Sequence, residues 1–249
     1  LRPIWFGLDV KLFLYRPGSL IFLVLTGCTV LQHWEKYNTV SPTLLCYFLF
    51  GYFLVFDFLF FEHNLLSTFD VQHEGVGLHF VLMKLVVIPF VYSLTLAWMA
   101  DKPHLGRLPG RITGCNYVAL GLGSIIFLIG YFIHRASTRQ KDLIRRDPHH
   151  PSLSGMAMIS TSSGKRLLAG GWWGKVRHPN YLGNLLMAYS TVIITGCCRS
   201  FVPWIYPVAQ TILLIHRIWR VENSCEEKHM YAWENYCHLV PYRLIHKIF

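Results

Sequence analysis

Residues 41–61 read SPTLLCYFLFGYFLVFDFLFF, a run in which Asp57 is the single charged residue. A hydrocarbon layer about 30 Å thick is crossed by about 20 apolar residues of helix, so this stretch predicts a membrane span and makes the fold helical. Working outward, residues 115–134 form the cleanest second span, with no Asp, Glu, Lys or Arg. Residues 78–100 qualify despite Lys84 and Pro89, and residues 17–34 form a shorter run. Residues 181–198 and 201–216 make a closely spaced pair split by Arg199. That pattern predicts about six spans, uncertain at their ends by several residues.

Composition agrees. Of 249 residues, 53% are hydrophobic and only 14% charged, against about 25% charged in soluble domains. An ordinary soluble protein and a disordered chain are both excluded. Gly (19) and Pro (12) are too ordinary in number for a collagen-like repeat. One polytopic membrane domain over residues 1–249 is expected. The chain opens on Leu1 with no signal-peptide pattern, which suggests a fragment of a longer protein. Seven cysteines, an odd number without a C-x-x-C, argue against disulfide frameworks and metal sites.

The net charge is +10. In a membrane protein such an excess marks cytoplasmic loops, and direct nucleic-acid binding by this segment is not expected. Residues 135–179 hold Arg135, Arg139, Lys141, Arg145, Arg146, Lys165, Arg166, Lys175 and Arg177, so this segment is assigned to the cytoplasm. The polar tail from Arg217 onward, with Tyr231, Trp233, Tyr236 and Tyr242, is expected to fold back on the same face.

Ionisable groups at membrane depth are costly and point to function. Asp57, Glu62, Asp70 and His73 cluster at and beyond the end of one span, and Lys84 lies in the next. Glu62, Asp70 and His73 are equally compatible with a solvated loop. Pro89 is expected to kink its helix, and Tyr92, one turn on, offers a hydroxyl or a core aromatic. His73-Glu74 lacks the second His of H-E-x-x-H, and Gly75-Val76-Gly77 lacks the rest of a Rossmann fingerprint.

The most specific string is GGWWGKVRHPNYLGN, residues 170–184. Its chemistry suits a planar anionic ligand. Trp173 can stack on a ring, Lys175 and Arg177 can face phosphate, and Asn180 can meet an amide or a sugar. An interfacial aromatic belt with cytoplasmic cations is the plainer reading.

This string, with STSSGKRLLAGGWWGKVRHPNYLGN and the ending LLIHRIWRVENSCEEKHMYAWENYCHLVPYR, closely resembles the sterol reductase family, which holds the Δ14- and Δ7-sterol reductases and the lamin B receptor. FDVQHEGVG, IPFVYSL and RPGS match further family motifs, so the resemblance covers nearly the whole chain. It implies an all-α, polytopic transmembrane helical bundle with a cytoplasm-facing NADPH pocket and a lateral sterol cavity. The implied reaction is hydride transfer from NADPH to a cation formed by protonating a sterol ring double bond, which needs an acid and a dry cavity. Cofactor positions carried over are Lys141, Arg145, Leu168, Trp173, Asn180, Tyr181, Arg217, Arg220, Glu222, Cys225, Lys228 and Tyr236. Glu62, Asp70 and Tyr92 are the remaining proton-donor candidates.

Departures from the family pattern bear on activity. The family's H-R-x-x-R-D-E is HRIWRVE here, so Val221 stands where the acid belongs. C-x-x-K-Y-G is CEEKHM, with His229 for Tyr and Met230 for Gly. Thr138 and Asn184 replace an Asn and an Asp, and Lys84 replaces the Asp of G-D-L-V-W. Losing one acid–base group costs about 10²–10⁴-fold in rate, so impaired catalysis is expected. The alternative is a lamin-B-receptor-type anchor of the inner nuclear membrane, reaching lamin and chromatin through an upstream region. Either reading places a multi-pass protein, in contact with sterol and membrane lipid, in the endoplasmic reticulum or inner nuclear membrane. Isoprenylcysteine carboxyl methyltransferases share an R-H-P-x-Y-x-G string, but the double Trp and the QKDLIR and HLVPYR segments favour the reductases.

Overall fold

The computed structural model describes residues 4–5, 8–62, 78–102, 117–161, 164, 166–196 and 200–248. Eight α-helical segments carry most of them: α1 Val10–Tyr37, α2 Pro42–Phe60, α3 Leu78–Leu82, α4 Ile88–Ala100, α5 Tyr117–Arg146, α6 Pro179–Ile194, α7 Val202–His229 and α8 Tyr231–Leu239. The all-α expectation needs one correction. Two short antiparallel hairpins are present, β1 Ile4–Trp5 with β2 Leu8–Asp9 and β3 Met158–Ser160 with β4 Arg166–Leu168.

Three described helices are long and apolar enough to cross a membrane: Phe13–Tyr37, Pro42–Phe60 and Tyr117–Arg146. The chain is thus a multi-pass helical membrane protein, and among the described residues fewer full-length spans stand out than the hydropathy pattern suggests. Each difference has a local cause. The first span continues through Pro17 and starts earlier than residue 17. The run at residues 78–100 is interrupted by a π-helical turn, Met83–Val87. Pro89 lies two residues past that turn, inside a helical run that continues from Leu78 to Ala100, and a widened turn beside a Pro is where helices kink. Helix α6 is only 16 residues long. It stops at Gly196, whose φ of 75° and N–H to Ile193 O (2.9 Å) form a left-handed terminus. Helix α7 does not end where the apolar run ends at His216. It continues to His229, because the polar stretch that follows carries no Gly or Pro.

The chain divides into two compact units, and α5, α6 and α7 each contribute to both. The first holds residues 1–124 and 190–207. Leu44, Tyr47, Leu96, Met99 and Ile194 form its core. Its chief polar staple is buried His33, whose Nδ1 donates to Ala100 O at 2.6 Å. Leu20, Val24, Leu49 and Phe56 are exposed, as lipid-facing side chains of spans should be.

The second unit holds residues 125–189 and 208–249. Its helices α5 and α6 cross at glycines. A Cβ on Gly183 would lie 2.6 Å from Gly130 O, and one on Gly130 would lie 2.8 Å from Gly183 O. Close backbone approach through small residues is the usual means of helix packing in membranes. The β3–β4 hairpin sets Leu168 into a core with Ile144, Leu153 and Trp173.

Candidate functional site

In the second unit the R-H-P-N-Y stretch leads into α6, and two preceding devices fix it. The 3-10 turn Gly171–Gly174 carries both tryptophans, and its entry needs Gly171, at φ 62°. Gln140 of α5 caps that turn by accepting the Trp172 N–H at 3.1 Å. Trp173 is buried. Its indole Nε1 donates to Ser137 O (3.0 Å), and its own carbonyl accepts the Tyr236 hydroxyl (3.0 Å). α5, the tryptophan turn and α8 are thereby tied into one wall.

Around that wall the positions carried over from the resemblance come together. Lys141 Nζ lies 4.9 Å from the Trp173 ring centroid, a cation–π contact. Cys225 sits in the combined field of Lys141, Lys228 and Arg145. Burial pushes its thiol above its ordinary pKa, and those cations oppose the rise. Tyr181 stacks on His178 with centroids 5.2 Å apart and planes 5° from parallel. It is buried with Leu185, Leu214, Ile218 and Leu244. Burial raises the Tyr236 phenol, which therefore stays protonated as the donor to Trp173. The Asn180 main-chain carbonyl accepts from His134 Nδ1 at 3.1 Å, while its side-chain Oδ1 is buried with no hydrogen-bond partner among the described residues. A buried acceptor left open in this way is costly and invites a donor from a ligand.

Other positions fall at the edge of this wall or outside it. Arg217, Val221, Cys225 and His229 are half-buried along the second half of α7, with Arg220 and Lys228 exposed. Arg145 is exposed one turn beyond Lys141. Leu168 is a buried core residue of β4. Lys175 lies over the Trp172 ring (5.1 Å), and Arg177 is engaged by Glu222 and by tail carbonyls.

Sequence reasoning missed this second feature, a buried charge network. Glu222 accepts from Arg177 Nη1 (3.2 Å) and from Arg243 Nε (2.9 Å), with His178 Nε2 at 3.4 Å. Burial pushes the Glu222 carboxyl up, but the His178 ring and the charges of Arg177 and Arg243 outweigh it and hold the group below its ordinary value. Burial likewise holds His178 below its ordinary value, despite Glu222. The available signal was the Arg of the tail segment HLVPYR beside the lone acid of HRIWRVE, which no spacing rule connects.

The proton-donor candidates belong to the first unit. Glu62 gives both carboxylate oxygens to Arg16, with Nη2–Oε2 at 2.9 Å. Tyr92 lies between two other tyrosines. Its carbonyl accepts the Tyr47 hydroxyl (3.0 Å), and its ring meets that of Tyr206 with centroids 4.2 Å apart. Asp70, with His73, lies outside the described residues, as does the side chain of Lys84. Among the described residues, no group of three or more His, Cys, Asp and Glu could hold a metal ion.

Cations and aromatic rings thus meet on one wall of a multi-pass helical chain. The chain belongs to the Ergosterol biosynthesis ERG4/ERG24 family, whose family model matches residues 1–249. It is 36% identical over 248 residues to a protein of Mus musculus named Delta(14)-sterol reductase TM7SF2, covering 98% of this chain and 56% of that protein. It is 36% identical over 245 residues to Delta(14)-sterol reductase LBR of Gallus gallus, covering 97% of this chain and 37% of that protein. A Delta(14)-sterol reductase of Methylotuvimicrobium alcaliphilum is 34% identical over 251 residues, covering 100% of this chain and 56% of that one. The chain spans about half the length, or less, of these curated relatives.

Proposed function

We propose that the second unit binds NADPH and that the chain belongs to a Δ14-sterol reductase whose chemistry is weakened. The observation that carries this reading is the convergence of Lys141, Trp173, Tyr181 and Tyr236 on one wall, with the open Asn180 Oδ1 beside them. The residues fit the group. Lys141 and Arg145, four apart on α5, supply charge for phosphates. Trp173 and Tyr181 offer faces for rings, and Asn180 Oδ1 can accept an amide N–H. When bound, NADPH supplies a hydride for the ring double bond. This chain's residues hold and orient it and shield it from water. Tyr92 and Asp70 remain the candidates for the proton. Glu62 is the weaker choice, because Arg16 takes both of its oxygens.

Val221 motivates the weakening, since an alkyl group neither donates nor accepts a proton. The similarity to Delta(14)-sterol reductase LBR supports the second reading, an inner nuclear membrane anchor whose lamin and chromatin contacts lie elsewhere in the protein. The reductase reading favours the endoplasmic reticulum membrane.

The test is NADPH-dependent reduction of a Δ14 sterol by membranes carrying the full-length protein, beside its Val221→Asp variant. Weak or absent turnover that recovers in the variant supports a reductase impaired at this position. Ordinary turnover by the unaltered chain refutes the impairment. No turnover by either favours the anchor.

A further inference from the structure

The Glu222 network reaches beyond its own charges. Four successive tail residues are sewn to Arg177 and His178. Val240 O and Pro241 O accept from the Arg177 guanidinium at 2.9 and 3.0 Å. Tyr242 O and Arg243 O accept the backbone N–H groups of Arg177 and His178, each at 2.9 Å. Residues at the two ends of this strap pack on aromatic rings of the candidate site. Val240 packs with Trp233 and Tyr236, and Leu244 packs with Tyr181. His178, held at the centre, is the ring on which Tyr181 stacks. Both Glu222 oxygens are taken by this lock, and its side chain is 8% exposed. The carboxylate faces Arg177, His178 and Arg243 and is turned to protein, not to a ligand.

We propose that residues 240–243 form a strap that sets Tyr181 and Tyr236 for the nucleotide, and that Glu222, with Arg177 and Arg243, is a positioning residue of that site. This rests on the NADPH reading above. Removing one partner from a buried charge network leaves the others uncompensated. Without Glu222 the two arginines repel across the strap and release it.

The experiment measures NADPH binding to the full-length protein in detergent by energy transfer from tryptophan to the bound nicotinamide, alongside the melting temperature. Glu222→Gln is expected to raise the NADPH Kd about tenfold or more, and Glu222→Asp to recover part of the loss. Met99→Ala, in the core of the other unit, lowers the melting temperature and leaves Kd unchanged, as a merely structural defect would. If Glu222→Gln does not fold, Arg243→Gln, which keeps the Arg177 pair, is expected to raise Kd about threefold. Unaltered protein that binds NADPH while the folded variant binds it equally well overturns the strap and leaves the NADPH reading standing. Unaltered protein that does not bind NADPH overturns both.

Discussion

Met230 shows how a single residue departs from what its backbone requires. It links α7 to α8 with φ 40° and ψ −112°, a region that suits glycine. The resemblance puts Gly at this position, and the geometry supplies the reason. The side chain is 74% exposed, so little packing offsets the strain. Met230→Gly is expected to stabilise the protein by about 1 kcal/mol, read as a higher melting temperature in detergent. A lower one would mean that the turn carries no strain. Val221 is the opposite case. Its missing acid is visible in the sequence, and its place is a half-buried position on α7.

At the scale of elements, the crossing of α5 and α6 depends on having no side chain at all. A Cβ at Gly183 would meet Gly130 O and His134 N, each at 2.6 Å, and both are backbone atoms that cannot swing aside. Gly183→Ala is therefore expected to cost about 1–3 kcal/mol by overpacking. It also loosens the start of α6, where Asn180 and Tyr181 sit. Gly121→Ala, on the same helix α5 with open space around it, is the comparison. Its effect is expected to be neutral or a gain of up to about 1 kcal/mol from helix propensity. Equal melting temperatures for the two variants would show that the helices do not meet so closely. The hydropathy pattern gives no hint of this crossing, because GLGSIIFLIG and NYLGN look like ordinary apolar stretches with glycine in them.

For the whole molecule, the orientation in the membrane follows from charge. The cations of residues 135–179 predict that the hairpin, the tryptophan turn and the entry to α6 face the cytoplasm. The tail joins them there, because residues 240–243 bond directly to residues 177 and 178. His149 is exposed in this segment. In sealed vesicles with the cytoplasmic face outward, His149→Cys is expected to react with a membrane-impermeant maleimide without detergent. Reaction only after permeabilisation would place the segment on the other side.

The sequence by itself determined the helical membrane class and the family. These follow from runs of apolar side chains and from long motifs that the chain carries contiguously. It also exposed the lost acid at Val221, since a missing functional group needs no geometry to be seen. The number of full-length spans went beyond its reach. A π turn before Pro89, a glycine stop at residue 196 and the unbroken run of α7 are choices of backbone hydrogen bonding that hydropathy does not record. The double engagement of Glu222, the hold of Arg177 on the tail, and the glycine crossing were decided by tertiary structure alone. Each joins residues distant in sequence, and their meeting depends on how the chain returns on itself.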